Sequence, residues 1–557
     1  MARSKLMSWG LWICLVVFMV VGSARYRFSP SFHDLGGGRL PMSDGAAWFV
    51  GSAQATEGAR LGWVARRPLN VSFNAPLIRL SARVAADPLL MTLQLKRALA
   101  FAAIAALVVA LEGCCSQLAR LGIGLSLLSS LFSSKASSLS FLIGSGVGYT
   151  HGTELNAFVF VVSAVACLVA WARTRRLEEQ QRSLLFLGSG LFLLSVGCNI
   201  RPGTLLLLPL LVGLAVLAET RTLGQACWPP TLMALKGLRP FLLAVGLGIG
   251  SCLLLQQLAF AQVTDECGAI GGNQGFTLYG LSRGLDWNAG LAYQKIRAPG
   301  CEKTANKLLK KEALRTFVRD PLPALGVVMD NFDKNNNIAS APIFRPGRRS
   351  WPVFLLAVLA MTYLLRRHRF PENGGLISTG NLVFLIGFLG WLSMELFMLF
   401  LFRDSYLRPL TPYAVFPILV VWWLIDRVLA RSVMPCNRNG PAPAILLLLP
   451  SCLAIHLLLG HLTLLTGGAL ARPGFPAMVK GSFPVEISRL RSMGTDQWMF
   501  DLGLPSNYSL SRPIPDQLSV PGDKLDGMYC LSYERRRILD SFDLYGKIAI
   551  EPGACRG

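Results

Sequence analysis

Residues 155–176 read LNAFVFVVSAVACLVAWARTRR: from Leu155 to Ala172 there is no charge, and Arg173, Arg175 and Arg176 follow at once. A charge-free stretch of that length matches a bilayer's hydrocarbon core, which takes roughly 20 helical residues to cross. Cations directly after it mark the cytoplasmic side. The same pattern recurs outward in both directions, with candidate spans near 8–24, 97–112, 118–150, 155–172, 184–199, 203–218, 239–262, 351–366, 382–402, 409–427 and 444–466. The stretch 118–150 is too long for one plain span and carries the Ser-rich SSLFSSKASSLS at 129–140, which suits a span plus an interfacial or broken helix. Counted as one crossing, it brings the total to about eleven. The fold class this predicts is an all-α polytopic membrane protein.

Composition agrees. The 557 residues are 52% hydrophobic and 15% charged, with a mean hydropathy of +0.47, which excludes an ordinary soluble globule. The net charge of +23 does not indicate a nucleic-acid partner, because many Lys and Arg sit at the ends of apolar segments. The N-terminus, MARSKLMSWGLWICLVVFMVVGSA, fits either a cleavable signal peptide or a retained span; Trp9 and Trp12, as interfacial anchors, favour retention.

With Arg3 and Lys5 inside, the cytoplasmic connections become Arg173 to Arg176, the 219–238 loop with Arg221 and Lys236, Arg366-Arg367-His368-Arg369, and Arg427 to Arg438. Each is short and basic, as the positive-inside rule requires. Three polar regions are then outside: 25–95, 263–350 and the tail from 467. The chain divides into a membrane domain, 1–466, and a C-terminal external region, 467–557, whose Pro, Gly and Ser content suits short strands and turns. Of thirteen cysteines, those in the outside regions are Cys267 and Cys301 in the large loop and Cys530 and Cys555 in the tail. Two per region predicts two local disulfides and an oxidising compartment.

The first external loop holds PMSDGAAWFVGSAQATEGARLGWVARRPL at 41–69. After Asp44, small and apolar residues at Ala47, Val50, Gly51, Ala55 and Gly58 permit a short helix. Asp44 then reads either as part of an N-cap with Ser43 or as a general base that takes a proton from an acceptor hydroxyl. Asp34 is the rival base, and Arg66 and Arg67 are candidate substrate-binding cations. A second acid, Glu154, stands at the mouth of the span beginning at 155, where it serves as a solvated cap or orients an acceptor or a metal. His33 and His151 fall on the same side without ligand spacing, so the metal remains unknown.

In FRDSYLRP at 402–409, Arg403 and Arg408 suit a phosphate at the bilayer surface, or snorkel to headgroups. Arg201, in Asn199-Ile200-Arg201-Pro202-Gly203, carries the same two readings. The loop GGNQGFTLYGLSRGLDWNAG at 271–290 offers Tyr279 and Trp287 for stacking on a sugar, or as interfacial anchors. Its glycines are not a phosphate fingerprint, since no strand precedes them. An amphipathic stretch, KTANKLLKKEALRTFVRDPLPAL, follows at 303–325.

Taken together, SDGAAWFVGSAQATEGARLGWVARRPL, THGTELNA, NIRPGTLLLLPLL, GFTLYGLSRGLDW with KEALRTFVRDPLPAL, and FRDSYLRPLTPY resemble, in that order along residues 1–430, the GT-C superfamily of integral-membrane glycosyltransferases. The resemblance is to the bacterial branch similar to protein O-mannosyltransferases and aminoarabinose transferases (glycosyltransferase family 39-like). It implies a GT-C-like fold in the bacterial inner membrane and transfer of a sugar from a polyprenyl-phosphate donor, on the periplasmic face, to a glycan, lipid or protein acceptor. It carries the catalytic acid onto Asp44, the second acid onto Glu154, and the arginine before the late proline onto Arg408, with Arg403 beside it. Gly45 follows Asp44, so a divalent metal held by two adjacent acids is not implied. The alternative function is a transporter or flippase for lipid-linked glycans, which needs ionisable residues deep in spans; Glu112 and Glu395 are the notable ones. A third reading is a non-catalytic scaffold. The sequons Asn70-Val71-Ser72 and Asn507-Tyr508-Ser509 matter only in a eukaryotic secretory route.

Overall fold

A computed structural model describes residues 2–25, 32–35, 38–41, 44–85, 88–132, 153–175, 180–204, 206–222, 239–271, 274–285, 289, 301–335, 359, 379–399, 408–429, 443–470, 479–492, 498–502, 508–510, 528–538, 542–552 and 555. Its helices are α1 (Ala2–Arg25), α2 (Asp44–Thr56), α3 (Pro68–Val84), α4 (Pro88–Ala110), α5 (Gln117–Phe132), α6 (Thr153–Thr174), α7 (Gln180–Ile200), α8 (Leu207–Thr222), α9 (Arg239–Val263), α10 (Gln274–Ser282), α11 (Glu302–Arg319), α12 (Leu322–Asn335), α13 (Thr379–Leu399), α14 (Val415–Leu429) and α15 (Pro443–Leu470). Among the described residues seven helices are long and apolar enough to cross a bilayer, and α1, α5 and α8 contain shorter apolar helices. Ten of the eleven candidate stretches therefore contain an apolar helix among their described residues, although of 118–150 only the part to Phe132 is described. The eleventh, 351–366, lies outside the described residues apart from Leu359. The molecule is a polytopic α-helical membrane protein.

The bundle is organised around α6, the segment on which the sequence reading began. Every residue from Thr153 to Ala172 is buried. A helix apolar on all sides suits an interior position, and α6 packs against α4, α7, α13 and α15. By contrast α9 and α15 expose Leu243, Leu247, Leu458 and Leu462, an outer apolar surface made for lipid tails. One end of the bundle is basic. There Arg173 Nη1 donates to the Ala110 carbonyl at 3.1 Å, Arg120 Nε to that of Val108 at 3.0 Å, and Arg427 stacks 4.9 Å from the Trp423 ring. The polar site described below lies at the other end.

Helix α3 is held between α15 and α6 by a defect in its own ladder. Pro76 has no N–H, so the Ser72 carbonyl one turn earlier loses its helical donor. A Cβ at Gly460 of α15 would collide with that carbonyl, so only glycine lets the two backbones meet. Four residues earlier on α15, the His456 ring nitrogen Nε2 lies 2.8 Å from the Phe73 carbonyl oxygen. The Phe73 ring in turn packs edge-on against Phe160 of α6 at 5.3 Å.

A seven-stranded sheet, β1 (Phe32–Leu35), β2 (Gly38–Pro41), β3 (Val479–Ser492), β4 (Trp498–Leu502), β5 (Tyr508–Leu510), β6 (Met528–Ile538) and β7 (Phe542–Pro552), completes the fold in the order β1-β2-β7-β6-β3-β4-β5. The strands expected of the tail are there. They are joined by a hairpin from the segment between α1 and α2 through the parallel pair β2–β7, in the register Gly38↔Asp543 and Arg39↔Leu544. Asp34 faces Arg39 across that hairpin. Both expected disulfides are present: Cys267–Cys301 and Cys530–Cys555, with Cα–Cα separations of 4.8 and 4.7 Å.

Candidate functional site

The site begins where α2 meets α3. Helix α2 opens at Asp44 and ends in a turn at Gly58, whose φ of +87° lies in the left-handed region glycine favours. On α2 the positions 44, 48 and 52 share one face at successive turns. Two of them mark where that face points: Arg67 lies 5.9 Å from the Trp48 ring centroid, and Ser52 Oγ accepts from Asn74 Nδ2 at 3.1 Å. The backbone of Asp44 is one turn beyond them. Between α2 and α3 the 3-10 turn Trp63–Arg66 delivers Arg67, whose carbonyl opens α3, and Pro68 takes the first helical position, where a missing N–H costs nothing.

Arg67 is buried and reaches across to α7, where Nη1 donates to the Ile200 carbonyl at 2.6 Å. The next carbonyl, that of Arg201, accepts from the Tyr413 hydroxyl at 2.6 Å. The free C-terminal end of α7 is thus capped by two side chains from remote segments. The Arg201 side chain turns to α6, with Nε 3.2 Å from Glu154 Oε1. Glu154 is fully buried, in the first turn of α6, where helix N–H groups favour a negative charge. Two residues on, Asn156 Nδ2 donates to Asn70 Oδ1 at 2.7 Å and Asn74 Oδ1 at 2.9 Å. Tyr413 ends the 3-10 helix that Arg408 begins.

Four of the singled-out sequence segments therefore converge: the Arg67 turn, the start of α6, the end of α7 and the Arg408–Tyr413 helix. Arg66 points the other way and pairs with Glu302 at the start of α11. Its carbonyl accepts from Gly271 N at 3.1 Å, while Leu61 N donates to the Val263 carbonyl at 2.7 Å and the Leu61 carbonyl accepts from Asp265 N at 3.1 Å. The segments that follow α2 and α9 are stitched together along this line, and the Cys267–Cys301 disulfide ties the stitching to α11. Glu302 is held above the usual carboxylate range by burial, which outweighs the pull of Arg66 in the opposite direction.

Other expected site residues fall elsewhere. Tyr279 is buried against Phe276, Ala305 and Leu309, with the Arg283 guanidinium 4.7 Å from its ring, so its ring packs α10 on α11. Trp287, Arg403 and His151 lie outside the described residues. Asn70 is fully buried within the amide cluster, a position closed to glycosylation. No group of three or more His, Cys, Asp or Glu poised for a metal occurs among the described residues.

The sequence reading missed Ser52, Asn70, Asn74, Asn156, Tyr413 and Glu302. Asn70 and Asn74 stand at i and i+4, and Asn156 follows Glu154 by two, so the spacing was there, although Asn70 was read only as part of a sequon. It also passed over Lys96 and Arg97, both buried in α4, with Arg97 5.5 Å from the Phe132 ring.

No protein-family model matches the chain, and no curated protein matches it. Among solved structures it is similar to the archaeal oligosaccharyltransferase AglB from Archaeoglobus fulgidus in complex with an inhibitory peptide and a dolichol-phosphate, at 10% identity and a TM-score of 0.36. That likeness covers 83% of this chain and 56% of the archaeal one. A second match is the Archaeoglobus fulgidus oligosaccharyltransferase tethered through a disulfide to an acceptor peptide containing the NVT sequon, at 10% identity, a TM-score of 0.34, and coverage of 83% and 55%. This chain spans little more than half the length of the chains it matches.

Proposed function

We propose that this protein is a membrane glycosyltransferase that moves a sugar from a polyprenyl-phosphate donor to a glycan, lipid or protein acceptor at the external, periplasmic face of a bacterial inner membrane. The reading rests on the ordered motifs that resemble the GT-C enzymes, and one observation carries it. Arg67, Glu154, Arg201 and Tyr413, from four segments far apart in the sequence, meet at the C-terminal end of α7, joined there by two hydrogen bonds to its last carbonyls and one ion pair. Two disulfides in the regions assigned to that side fit an oxidising compartment.

Displacing a lipid phosphate from an anomeric carbon needs the acceptor hydroxyl deprotonated and the leaving phosphate's charge stabilised. In this reading Asp44 takes the proton. Arg403 and Arg408 receive the phosphate, and the 3-10 helix that begins at Arg408 is anchored through Tyr413. Glu154 and Arg201 act as a fixed pair that holds the ends of α6 and α7 in register, so Arg201 serves as a strut more than as a phosphate ligand. No step in this reading is assigned to a divalent metal.

The test is donor turnover by the wild type and Asp44→Asn in nanodiscs, with a panel of polyprenyl-phosphate sugars and release of polyprenyl phosphate as the readout. Turnover lost in a folded Asp44→Asn supports the assignment. Equal turnover in both proteins moves the base to Asp34 or Glu154, and no turnover with any donor sinks the transferase reading. One observation favours the transporter alternative: Glu395, inside α13, accepts from Trp391 Nε1 at 2.9 Å, and ionisable groups within spans often mark transport paths. A Glu395→Gln variant that keeps sugar transfer but stops flipping of a labelled glycolipid would favour it.

A further inference from the structure

The second external loop carries an unusual surface. Helices α11 and α12 pack inward through Phe317, Ala324 and Val327 onto Leu281 of α10. Their inward face is complete. On the outward face Leu314 is 65% exposed, Val318 81%, Leu322 71%, Leu325 54% and Met329 66%. Residues 314 and 318 stand at i and i+4 on α11, and 322, 325 and 329 at i, i+3 and i+7 on α12, so each helix presents one apolar stripe. The stripes run in series through Asp320-Pro321. The N-terminal half of the same α11 face carries Lys303, Lys307 and Lys311, all exposed and one turn apart.

A stripe of large apolar side chains is out of place in water, and a soluble external loop normally avoids it. The combination has a natural partner: apolar side chains enter the acyl boundary of a bilayer while lysines meet its phosphates. The location fits, since α12 packs against α13, a helix long and apolar enough to cross a bilayer. We propose that the outward face of α11 and α12 is a lipid-docking surface, laid on the leaflet at the site's end of the bundle and selective for anionic phospholipid headgroups. Charge complementarity selects the anionic lipid: three exposed lysines on one face are drawn to the negative potential of such a surface. This assignment stands independently of the transferase reading.

Docking here has a mechanical consequence. The N-terminal residue of α11 is Glu302, which grips Arg66, the neighbour of Arg67 in the buried cluster. A lipid surface that holds α11 therefore also steadies the arginine turn.

The experiment incorporates a photo-crosslinking amino acid at Val318 or Met329 of the full-length protein, reconstituted in nanodiscs of phosphatidylcholine with or without phosphatidylglycerol. An identical probe at Arg319, exposed on α11 but turned about 100° from Val318 and about 140° from Leu314 around the helix, is the control. The expected result is lipid adducts at 318 and 329, several-fold fewer at 319, with phosphatidylglycerol favoured. Changing Lys303, Lys307 and Lys311 together to Gln should remove that preference and leave the adducts themselves. Adducts joining two copies of the protein would overturn the proposal in favour of a homo-oligomer interface, and an absence of lipid adducts at 318 and 329 would overturn it outright. Because every substituted side chain is exposed, retention of both disulfides by mass spectrometry is enough to show that the variants are folded.

Discussion

Glu154 is fully buried, and its charge is tolerated because Arg201 Nε lies 3.2 Å away and the first turn of α6 offers unpaired N–H groups. Removing one partner of such a pair leaves the other uncompensated, a loss of about 3–5 kcal/mol. Glu154→Gln should therefore lower the thermal midpoint of the detergent-solubilised protein, and Arg201→Gln should lower it by a similar amount. The double variant should recover part of the loss, since neither charge is then stranded. A midpoint unchanged in both single variants would mean the pair is not formed. Asp44→Asn makes the contrasting case, for its expected effect is on rate: turnover falls on the order of 10²–10⁴-fold, the usual cost of losing a general base. Asn156→Leu belongs with the stability class. It leaves Asn70 and Asn74 oxygens without the donor they share, at roughly 1–3 kcal/mol for each buried acceptor.

At the scale of elements, the Arg66–Glu302 pair joins the 3-10 turn to α11, and its pH dependence has a definite sign. Burial raises the Glu302 carboxyl above its ordinary value of 4.5, despite Arg66 acting to lower it. A carboxyl raised in the folded state contributes stability that is full below its unfolded value and is lost as pH rises through the folded one. Arg66→Gln removes the lowering influence and pushes the folded value further up. Its thermal midpoint should match the wild type in acid and fall progressively behind as pH rises above 4.5, and adding Glu302→Gln should abolish that divergence. A gap between the single variant and wild type that stays constant with pH would dismiss the pair. Nothing in the sequence could announce this contact, because Arg66 and Glu302 are far apart and Arg66, read as a substrate-binding cation, has no mark of an acidic partner. The disulfide beside it was legible, since Cys267 and Cys301 share one external region with no competing thiol. The spans were legible for a related reason: hydrocarbon thickness imposes a length, and no tertiary partner is needed to read it. The amide cluster was not, because polar residues on α3 gain meaning only when α6 is placed beside them.

The whole molecule joins its first external loop to its last residues. The tail was expected as a separate external region after 467, and its strands do form there, yet β7 pairs in parallel with β2 from the first loop. Strand β2 ends at Pro41 and α2 begins at Asp44, so few residues separate the sheet from the proposed base. So short a connection leaves little slack, and the sheet fixes where α2 starts. The tail should then matter to catalysis as much as to recognition. Ending the chain at residue 478 removes β3 to β7 and frees the hairpin, and turnover should drop by about 10²-fold, the effect expected when a reacting group is displaced by ~1 Å. The membrane helices should keep their thermal midpoint, because among the described residues α6 packs chiefly on the helices α4, α7, α13 and α15. In the complementary experiment, cysteines introduced together at Gly38 and Asp543, which face each other in the β2–β7 register, should crosslink while turnover is retained. Full turnover without the tail would show that α2 is set by α3 and α15 alone, and would reduce the sheet to an appendage.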